Sequence, residues 1–122
     1  MFKHLFGGAP DSADLDFPTF AKVVAAGEVA VVDVREPHEF AAGHIPGAVN
    51  LPLSRFDPSD LPSGKDKPVV ILCQAGGRSR EALGIALAAG RSDLKHYPGG
   101  MNGWRMHDED ERPRPLRASK DS

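Results

Sequence analysis

Short, mainly apolar runs alternate along the chain with segments whose apolar residues recur at helical spacing. Residues 29–34 and 69–72 are rich in Val, Ile and Leu, which is typical of strands buried on both faces of a sheet. Shorter runs at residues 48–51 and 94–97 predict two further strands. Because predicted helices separate these strands, the pattern indicates an α/β fold with a parallel sheet.

Four segments of the chain carry helix signals. Residues 17–26 place Phe20, Val23 and Val24 on one face, and the segment ends before Gly27, a residue that suits a helix C-terminus. The other predicted helical segments are residues 36–42, residues 79–89 and the later part of residues 99–105, which begin with a turn.

The 122 residues are enough for one domain with its own core. Gly, Pro and Ser punctuate residues 1–15, which predicts an N-terminal lead-in. Residues 16–106 contain the predicted strands and helices and are expected to form the domain. Charged residues, Pro and Ser dominate residues 107–122, so this segment is predicted to be a flexible tail.

The charge balance argues against nucleic acid and membrane surfaces as partners. The chain has 15 Lys and Arg residues against 17 Asp and Glu residues, a formal net charge of −2, whereas such partners select a basic face. The sequence has no apolar run near the roughly 18 residues of a membrane-spanning helix, and its first residues lack the apolar stretch of a signal peptide. We therefore expect a cytoplasmic protein without a membrane partner.

The chain has a single cysteine, Cys73. One cysteine forms neither an internal disulfide nor a cysteine-rich zinc site, which agrees with a reducing compartment. The acidic run at residues 108–111 lies in the predicted tail, and we interpret it as solvated surface and not as a metal site. We expect no metal and no cofactor.

Cys73 follows the apolar run 69–72 and precedes a short loop and a predicted helix. A core cysteine is one interpretation, because free cysteine is often buried. The position favours a reactive thiol, because ligands of open α/β sheets bind beyond the carboxyl ends of strands and helix N-termini lower thiol pKa values. The loop residues expected to surround the sulfur and bind an anion are Gln74, Ala75, Gly76, Gly77, Arg78 and Ser79.

Three of these loop residues have distinct expected roles. The pair Gly76 and Gly77 makes a turn and allows the backbone N–H groups to point inward. A cation is unfavourable at a helix N-terminus, so Arg78 predicts a compensating anion: a thiolate, a bound oxyanion or a carboxylate such as Asp33. An Arg78 that faces solvent is the alternative. Ser79 is interpreted mainly as a helix N-cap, with a functional hydroxyl as the alternative.

Asp33 and Arg35 follow the other buried run and are expected at the same sheet edge as Cys73. We interpret them as a structural ion pair that supports the loop beneath the site, in preference to catalytic groups. Glu39 and His44 are assigned to the same scaffold, with His44 holding a turn. No histidine stands in a context that suggests a pair with Cys73, although distance along the sequence does not exclude one.

Three motifs stand in order along the chain: residues 32–40 continuing through 43–52, residues 73–79 (Cys-Gln-Ala-Gly-Gly-Arg-Ser), and residues 97–104 (Tyr-Pro-Gly-Gly-Met-Asn-Gly-Trp). Together they resemble the rhodanese-homology domain of single-domain sulfurtransferases, and the likeness covers residues 17–105. The resemblance implies a central parallel sheet of about five strands, flanked by helices on both faces.

The resemblance also implies that Cys73 cycles between thiol and persulfide. Thiosulfate or a persulfide donor supplies one sulfane sulfur, and cyanide or a thiol acceptor removes it. The loop amides then stabilise the negative charge of the persulfide. The implied partners are small sulfur donors and thiol acceptors, with a protein sulfur acceptor as a further candidate.

Loop length distinguishes the catalytic branches of this family. Its sulfurtransferases have a six-residue loop, whereas the related phosphatases and arsenate reductases have one residue more. Residues 73–78 are the shorter form, which favours sulfur over phosphorus. Because the loop has no lysine, a persulfide donor is as well supported as thiosulfate. The alternatives are a sulfur-carrier or regulatory protein-binding module with little thiosulfate:cyanide turnover and, more distantly, a phosphatase-like or arsenate-reducing enzyme.

Overall fold

The computed structural model describes residues 14–107, in which four strands alternate with four α-helices and two short 3-10 helices. The strands are β1 (Ala30–Asp33), β2 (Val49–Asn50), β3 (Val69–Leu72) and β4 (Lys95–His96). The α-helices are α1 (Phe17–Ala25), α2 (Pro37–Ala41), α3 (Gly77–Ala88) and α4 (Gly100–Met106), and the 3-10 helices are Leu53–Arg55 and Pro58–Asp60. Each predicted strand and helix is present in this part of the chain.

The four strands form one parallel sheet in the order β2-β1-β3-β4. The register pairs Val31 with Val70 and Asp33 with Leu72, so β1 and β3 end at the same edge. Asp14 adds a parallel bridge to His96 at the β4 side. The α/β fold with a parallel sheet is confirmed, and the four strands with this bridge agree with the expected size of about five.

The sheet is covered on both faces, because its residues alternate between two apolar clusters. Val70 and Leu72 belong to a cluster that includes residues of α1 and α4, among them Phe20 and Trp104, whose rings pack edge to face. The neighbouring positions of β3 face a second cluster that includes α3 and Cys73. This arrangement fixes the carboxyl edge of the sheet between two packed layers.

The first turn of α3 corrects one prediction. The N-cap of this helix is Gly76, with φ of 103°, and Ser79 lies inside the first turn. A Cβ at residue 76 would lie 2.8 Å from the carbonyl oxygen of Pro98, so this left-handed position needs glycine. The interpretation of Ser79 as the N-cap is therefore wrong, because the glycine turn starts the helix earlier and turns the serine hydroxyl toward Cys73.

Leu15 and His107, which flank the predicted domain, both contact it. The Leu15 N–H group donates to the carbonyl oxygen of His96 at 2.8 Å, and the Leu15 side chain is buried. At the other end, the ring of His107 stacks on Phe17 with the ring centres 4.2 Å apart. The rest of the predicted lead-in and tail lies outside the described residues. Within residues 14–107 no helix has the length and apolar character needed to cross a membrane.

Candidate active site

Cys73 lies directly after β3, at the edge where β1 also ends. Its side chain is buried, with 1% of the residue exposed. Asp33 ends β1 at the same edge, Arg35 lies two residues beyond it, and both residues are buried. The parallel register therefore brings together the two segments that the sequence analysis placed side by side.

The Cys73 sulfur lies in a cradle of hydrogen-bond donors. The backbone N–H groups of Gly76 and Ser79 donate to Sγ at 3.1 Å and 3.3 Å. The Ser79 hydroxyl lies 3.3 Å from the same sulfur. Because two N–H groups donate to one sulfur and a hydroxyl lies beside it, the site stabilises the negative charge of a thiolate.

Two opposing effects set the pKa of the Cys73 thiol. Burial is the largest single effect and raises the pKa. Hydrogen bonds from the Ser79 side chain and from the backbone of Ser79, Gly76 and Ala75 act in the other direction, and together they carry the pKa below its ordinary value. The cradle therefore outweighs the cost of burying a charge.

Helix α4 supports the loop from its carbonyl side. The N–H groups of Met101 and Asn102 donate to the carbonyl oxygens of Cys73 and Gln74 at 2.9 Å and 3.0 Å. A Cβ at residue 100 would lie 2.5 Å from the Gln74 carbonyl oxygen, so Gly100 permits this close approach. The loop carbonyls thus point toward α4, which leaves the loop N–H groups for the sulfur.

Arg78 pairs with a carboxylate, but with a different one from the example given by the sequence analysis. Its two terminal nitrogens bond Glu39 Oε1 and Oε2 at 2.6 Å and 3.0 Å. The hydrogen bond from Arg78, together with one from the Glu36 backbone N–H, lowers the pKa of Glu39 to about 2. Asp33 is not the partner, because Arg35 already occupies it. The Arg78 side chain is 36% exposed, so the pair lies at the rim of the site.

Asp33 and Arg35 form the buried ion pair that the sequence analysis predicted. The Arg35 guanidinium donates to both carboxylate oxygens of Asp33, and the shortest distance is 2.8 Å. It also donates to the carbonyl oxygen of Gly43 at 2.8 Å and to Gln74 Oε1 at 3.3 Å. Among the described residues, the hydrogen-bond partners of the Cys73 sulfur do not include Asp33 or Arg35. The pair therefore acts as a support beneath the loop.

Two asparagines that the sequence analysis did not identify add hydrogen bonds around the Asp33–Arg35 pair and the loop. Asn50 donates to the carbonyl oxygens of Asp33 and Arg35. Asn102 accepts from the Gln74 amide at 2.6 Å. The Gln74 side chain is thus held between Arg35 and α4, which explains its place in the loop.

His44 contacts Phe40 of helix α2. Its ring stacks on Phe40 with the centres 3.7 Å apart, and its Nδ1 atom lies 2.8 Å from the Phe40 carbonyl oxygen. These contacts hold the segment after α2. His44 therefore belongs to the scaffold and not to the sulfur cradle.

His96 is a third residue at this edge that the sequence analysis missed, and it lies nearest to the sulfur cradle. Its buried ring places Nε2 2.6 Å from the Ser79 hydroxyl, which in turn contacts the Cys73 sulfur. Its Nδ1 atom lies 3.3 Å from Asp14 Oδ1. The one sequence feature that could have drawn attention to His96 is its position in the short predicted strand at residues 94–97. Its connection to Cys73 depends on the pairing of β3 with β4.

The described residues 14–107 contain no group of three or more His, Cys, Asp or Glu side chains arranged to hold a metal ion. The reactive group at this edge is a buried cysteine whose sulfur accepts hydrogen bonds from the loop. The expectation of a site without metal or cofactor stays a prediction.

The sequence of this domain matches a known protein family and is similar to known proteins. The sequence model described as "Rhodanese-like domain" matches residues 18–107. A Synechocystis protein, the uncharacterized protein slr1261, is 46% identical over 78 residues, which span 64% of this chain but only 44% of that protein. The human thiosulfate:glutathione sulfurtransferase is 30% identical over 111 residues, which span 80% of this chain and 94% of that enzyme.

Solved structures agree with the family match. The human single domain sulfurtransferase superposes with a TM-score of 0.66 at 28% identity, over 78% of this chain and 96% of its own. The single domain sulfurtransferase RDL2 of Saccharomyces cerevisiae has a TM-score of 0.67 at 25% identity, over 84% of this chain and 96% of its own.

Proposed function

The chain belongs to the rhodanese-like family, and we propose that it is a sulfurtransferase that carries sulfane sulfur as a persulfide on Cys73. The observation that supports this most is the convergence of two backbone N–H groups and one hydroxyl on a buried sulfur. Such donors stabilise a thiolate before reaction and the charge of a persulfide afterwards.

In the first half-reaction, the Cys73 thiolate attacks the outer sulfur of the donor. A new S–S bond forms on Cys73, and the bond between the two donor sulfurs breaks. Its electron pair leaves on sulfite when thiosulfate is the donor, or on a thiolate when the donor is a persulfide. The outer sulfur now carries the negative charge, which the loop N–H groups stabilise.

In the second half-reaction, an acceptor thiolate attacks that outer sulfur. The S–S bond to Cys73 breaks, and its electron pair returns to Cys73 as a thiolate. The acceptor leaves as a persulfide, and cyanide in the same role leaves as thiocyanate. The cradle stabilises the leaving thiolate in this step by the same hydrogen bonds.

The charges around the site bear on the choice of donor. Glu39 binds the fork of Arg78, and Asp33 binds the fork of Arg35. The binding of a doubly charged donor such as thiosulfate therefore rests on the loop N–H groups and on cations that are already paired. A low-molecular-weight persulfide or a protein persulfide fits this site as well as thiosulfate does.

Intact mass spectrometry after incubation with thiosulfate or glutathione persulfide tests the proposal. The protein should gain one sulfur, cyanide should remove it, and Cys73→Ser should gain none. An unchanged mass with both donors would contradict the proposed function. A stable persulfide without turnover to cyanide or glutathione would favour a sulfur carrier over an enzyme.

A further inference from the structure

A continuous chain of short contacts leads from the Cys73 sulfur to the surface. The Ser79 hydroxyl lies 3.3 Å from Sγ, and the same hydroxyl lies 2.6 Å from His96 Nε2. On the other side of the ring, Nδ1 lies 3.3 Å from Asp14 Oδ1. Cys73, Ser79 and His96 are buried, whereas the Asp14 carboxylate is 46% exposed. The chain therefore connects a buried thiol with an acidic group at the protein surface.

The charges around His96 favour a neutral ring in the resting site. Burial lowers the pKa of His96 most, and the charge of Arg80 on α3 lowers it further. Asp14 acts in the opposite direction from the edge of the sheet, and Arg80 also pairs with Asp14 at 3.3 Å. Ser79 links the ring to Cys73 from the first turn of α3. A neutral ring is free to accept a proton at one nitrogen.

The hydrogen-bond directions of the resting site follow from the partner at Nδ1. A carboxylate accepts only, so Asp14 keeps the ring proton on Nδ1 and leaves Nε2 as an acceptor. The Ser79 hydroxyl then donates to Nε2, and the Cys73 thiol donates to the Ser79 oxygen. Ser79 Oγ also lies 3.1 Å from the carbonyl oxygen of Gly76, which gives the hydroxyl a second acceptor.

We propose that Ser79, His96 and Asp14 form a proton relay that takes the proton of Cys73 when the thiol becomes a nucleophile. The S–H bond breaks as an O–H bond forms on Ser79, and the former hydroxyl proton of Ser79 forms an N–H bond on His96 Nε2. No electrons are lost or gained. The two hydrogen bonds of Ser79 then reverse, so that Nε2–H donates to Ser79 and Ser79 donates to the thiolate, while Nδ1–H still donates to Asp14.

The place of the relay in the sulfur-transfer cycle rests on the proposed function. The imidazolium of His96 holds the proton while the outer sulfur of Cys73 carries a negative charge, and it returns the proton when the resting thiol forms again. Ser79 is a catalytic residue, because it contacts the reacting sulfur. His96 and Asp14 act through Ser79 and are positioning residues.

The pH profile of Cys73 alkylation by iodoacetamide tests the relay without any sulfur donor. In His96→Gln the glutamine side chain keeps an amide N–H donor near Ser79, but it accepts no proton anywhere in the pH range of the assay. We expect the alkylation midpoint to rise by about one pH unit, at the lower end of the shift that a nearby opposite charge produces. The exposed His38 on α2 provides the matched control, and His38→Asn should keep the wild-type profile.

A profile of folded His96→Gln that superposes on the wild type would overturn the relay. Because this test needs no sulfur transfer, it separates a failure of the relay from a failure of the proposed function. The latter is shown by the absence of a persulfide in the mass spectrum. Thermal unfolding of each variant confirms that the comparison is made between folded proteins.

Nuclear magnetic resonance of the wild-type protein covers the case in which His96→Gln does not fold. The ¹⁵N shifts of the His96 ring should show a proton on Nδ1 in the resting protein, and the pH titration of the ring should move when Cys73 is blocked by iodoacetamide. A proton on Nε2 at rest, or a titration that is the same in free and blocked protein, would overturn the relay.

Discussion

Two polar regions meet at the carboxyl edge of the sheet: the rim of the site and the surroundings of the Cys73 sulfur. They differ in solvent exposure and in whether their hydrogen-bonding groups are charged. The rim contains a partly exposed ion pair, Arg78 with Glu39. The interior contains a buried thiol with neutral donors and a buried histidine. Solvent screens the rim, whereas hydrogen bonds in the interior act in a low dielectric and are correspondingly stronger.

This difference assigns separate tasks to the two regions. The guanidinium fork of Arg78 is held by Glu39, so it contributes a positive field but no hydrogen bond to the Cys73 sulfur among the described contacts. The interior donors contact the sulfur directly and lower its pKa against the effect of burial. The acidity of Cys73 therefore depends mainly on loop shape and on Ser79.

The largest effect is expected from a change that destroys the shape of the loop. Gly76→Ala places a side chain at a left-handed position and 2.8 Å from a carbonyl oxygen. The strained backbone alone should cost about 1–3 kcal/mol of unfolding free energy, and persulfide formation should fall steeply because the N–H donors move. Urea unfolding and the persulfide assay measure the two effects.

Gly84 provides the matched control for this substitution. It lies exposed within α3, and a Cβ there meets nothing within 4 Å. Gly84→Ala should stabilise the helix by up to about 1 kcal/mol and leave sulfur transfer unchanged. If Gly76→Ala were as stable and as active as Gly84→Ala, loop shape would not control the site.

A smaller effect is expected from the rim, and it has a characteristic pH dependence. The folded-state pKa of Glu39 is about 2, below its ordinary value of 4.5. In the unfolded chain Glu39 binds a proton more readily than in the folded protein, so its contribution to stability is present above pH 4.5 and is lost as the pH falls toward 2. Solvent screening keeps this contribution modest, because both partners are partly exposed.

Glu39→Gln tests this part of the account. The difference in unfolding free energy between wild type and variant should be at most about 1 kcal/mol above pH 5 and should shrink below pH 4.5. Urea unfolding across the pH range measures it. A difference that grows as the pH falls would mean that Glu39 is not stabilised as a carboxylate.

The sequence was most informative where structure is local. The β-branched runs predicted β1 and β3, and the glycine turn after a strand end predicted the place of Cys73. The buried pair of Asp33 and Arg35 was also predicted, because both residues lie at the carboxyl end of the same buried run.

The sequence was least informative where a contact depends on how distant segments pack. His96 lies 17 residues after Ser79 and 82 residues after Asp14. Its role depends on the pairing of β4 with β3 and on the bridge at Asp14, which no local pattern reveals. The N-cap preference of serine suggested the wrong role for Ser79, because a glycine in the left-handed conformation starts the helix earlier.

The most direct test of the account is the rate of persulfide formation on Cys73 in Ser79→Ala and Arg78→Ala, measured side by side with the same donor. Loss of a hydrogen bond to a charged sulfur should cost about 1.5–3 kcal/mol in Ser79→Ala, which slows the reaction roughly ten- to hundred-fold. Arg78→Ala should slow it less, by about tenfold or below, because its fork is bound to Glu39. A greater loss in Arg78→Ala than in folded Ser79→Ala would contradict the claim that the buried donors, and not the rim cation, activate Cys73.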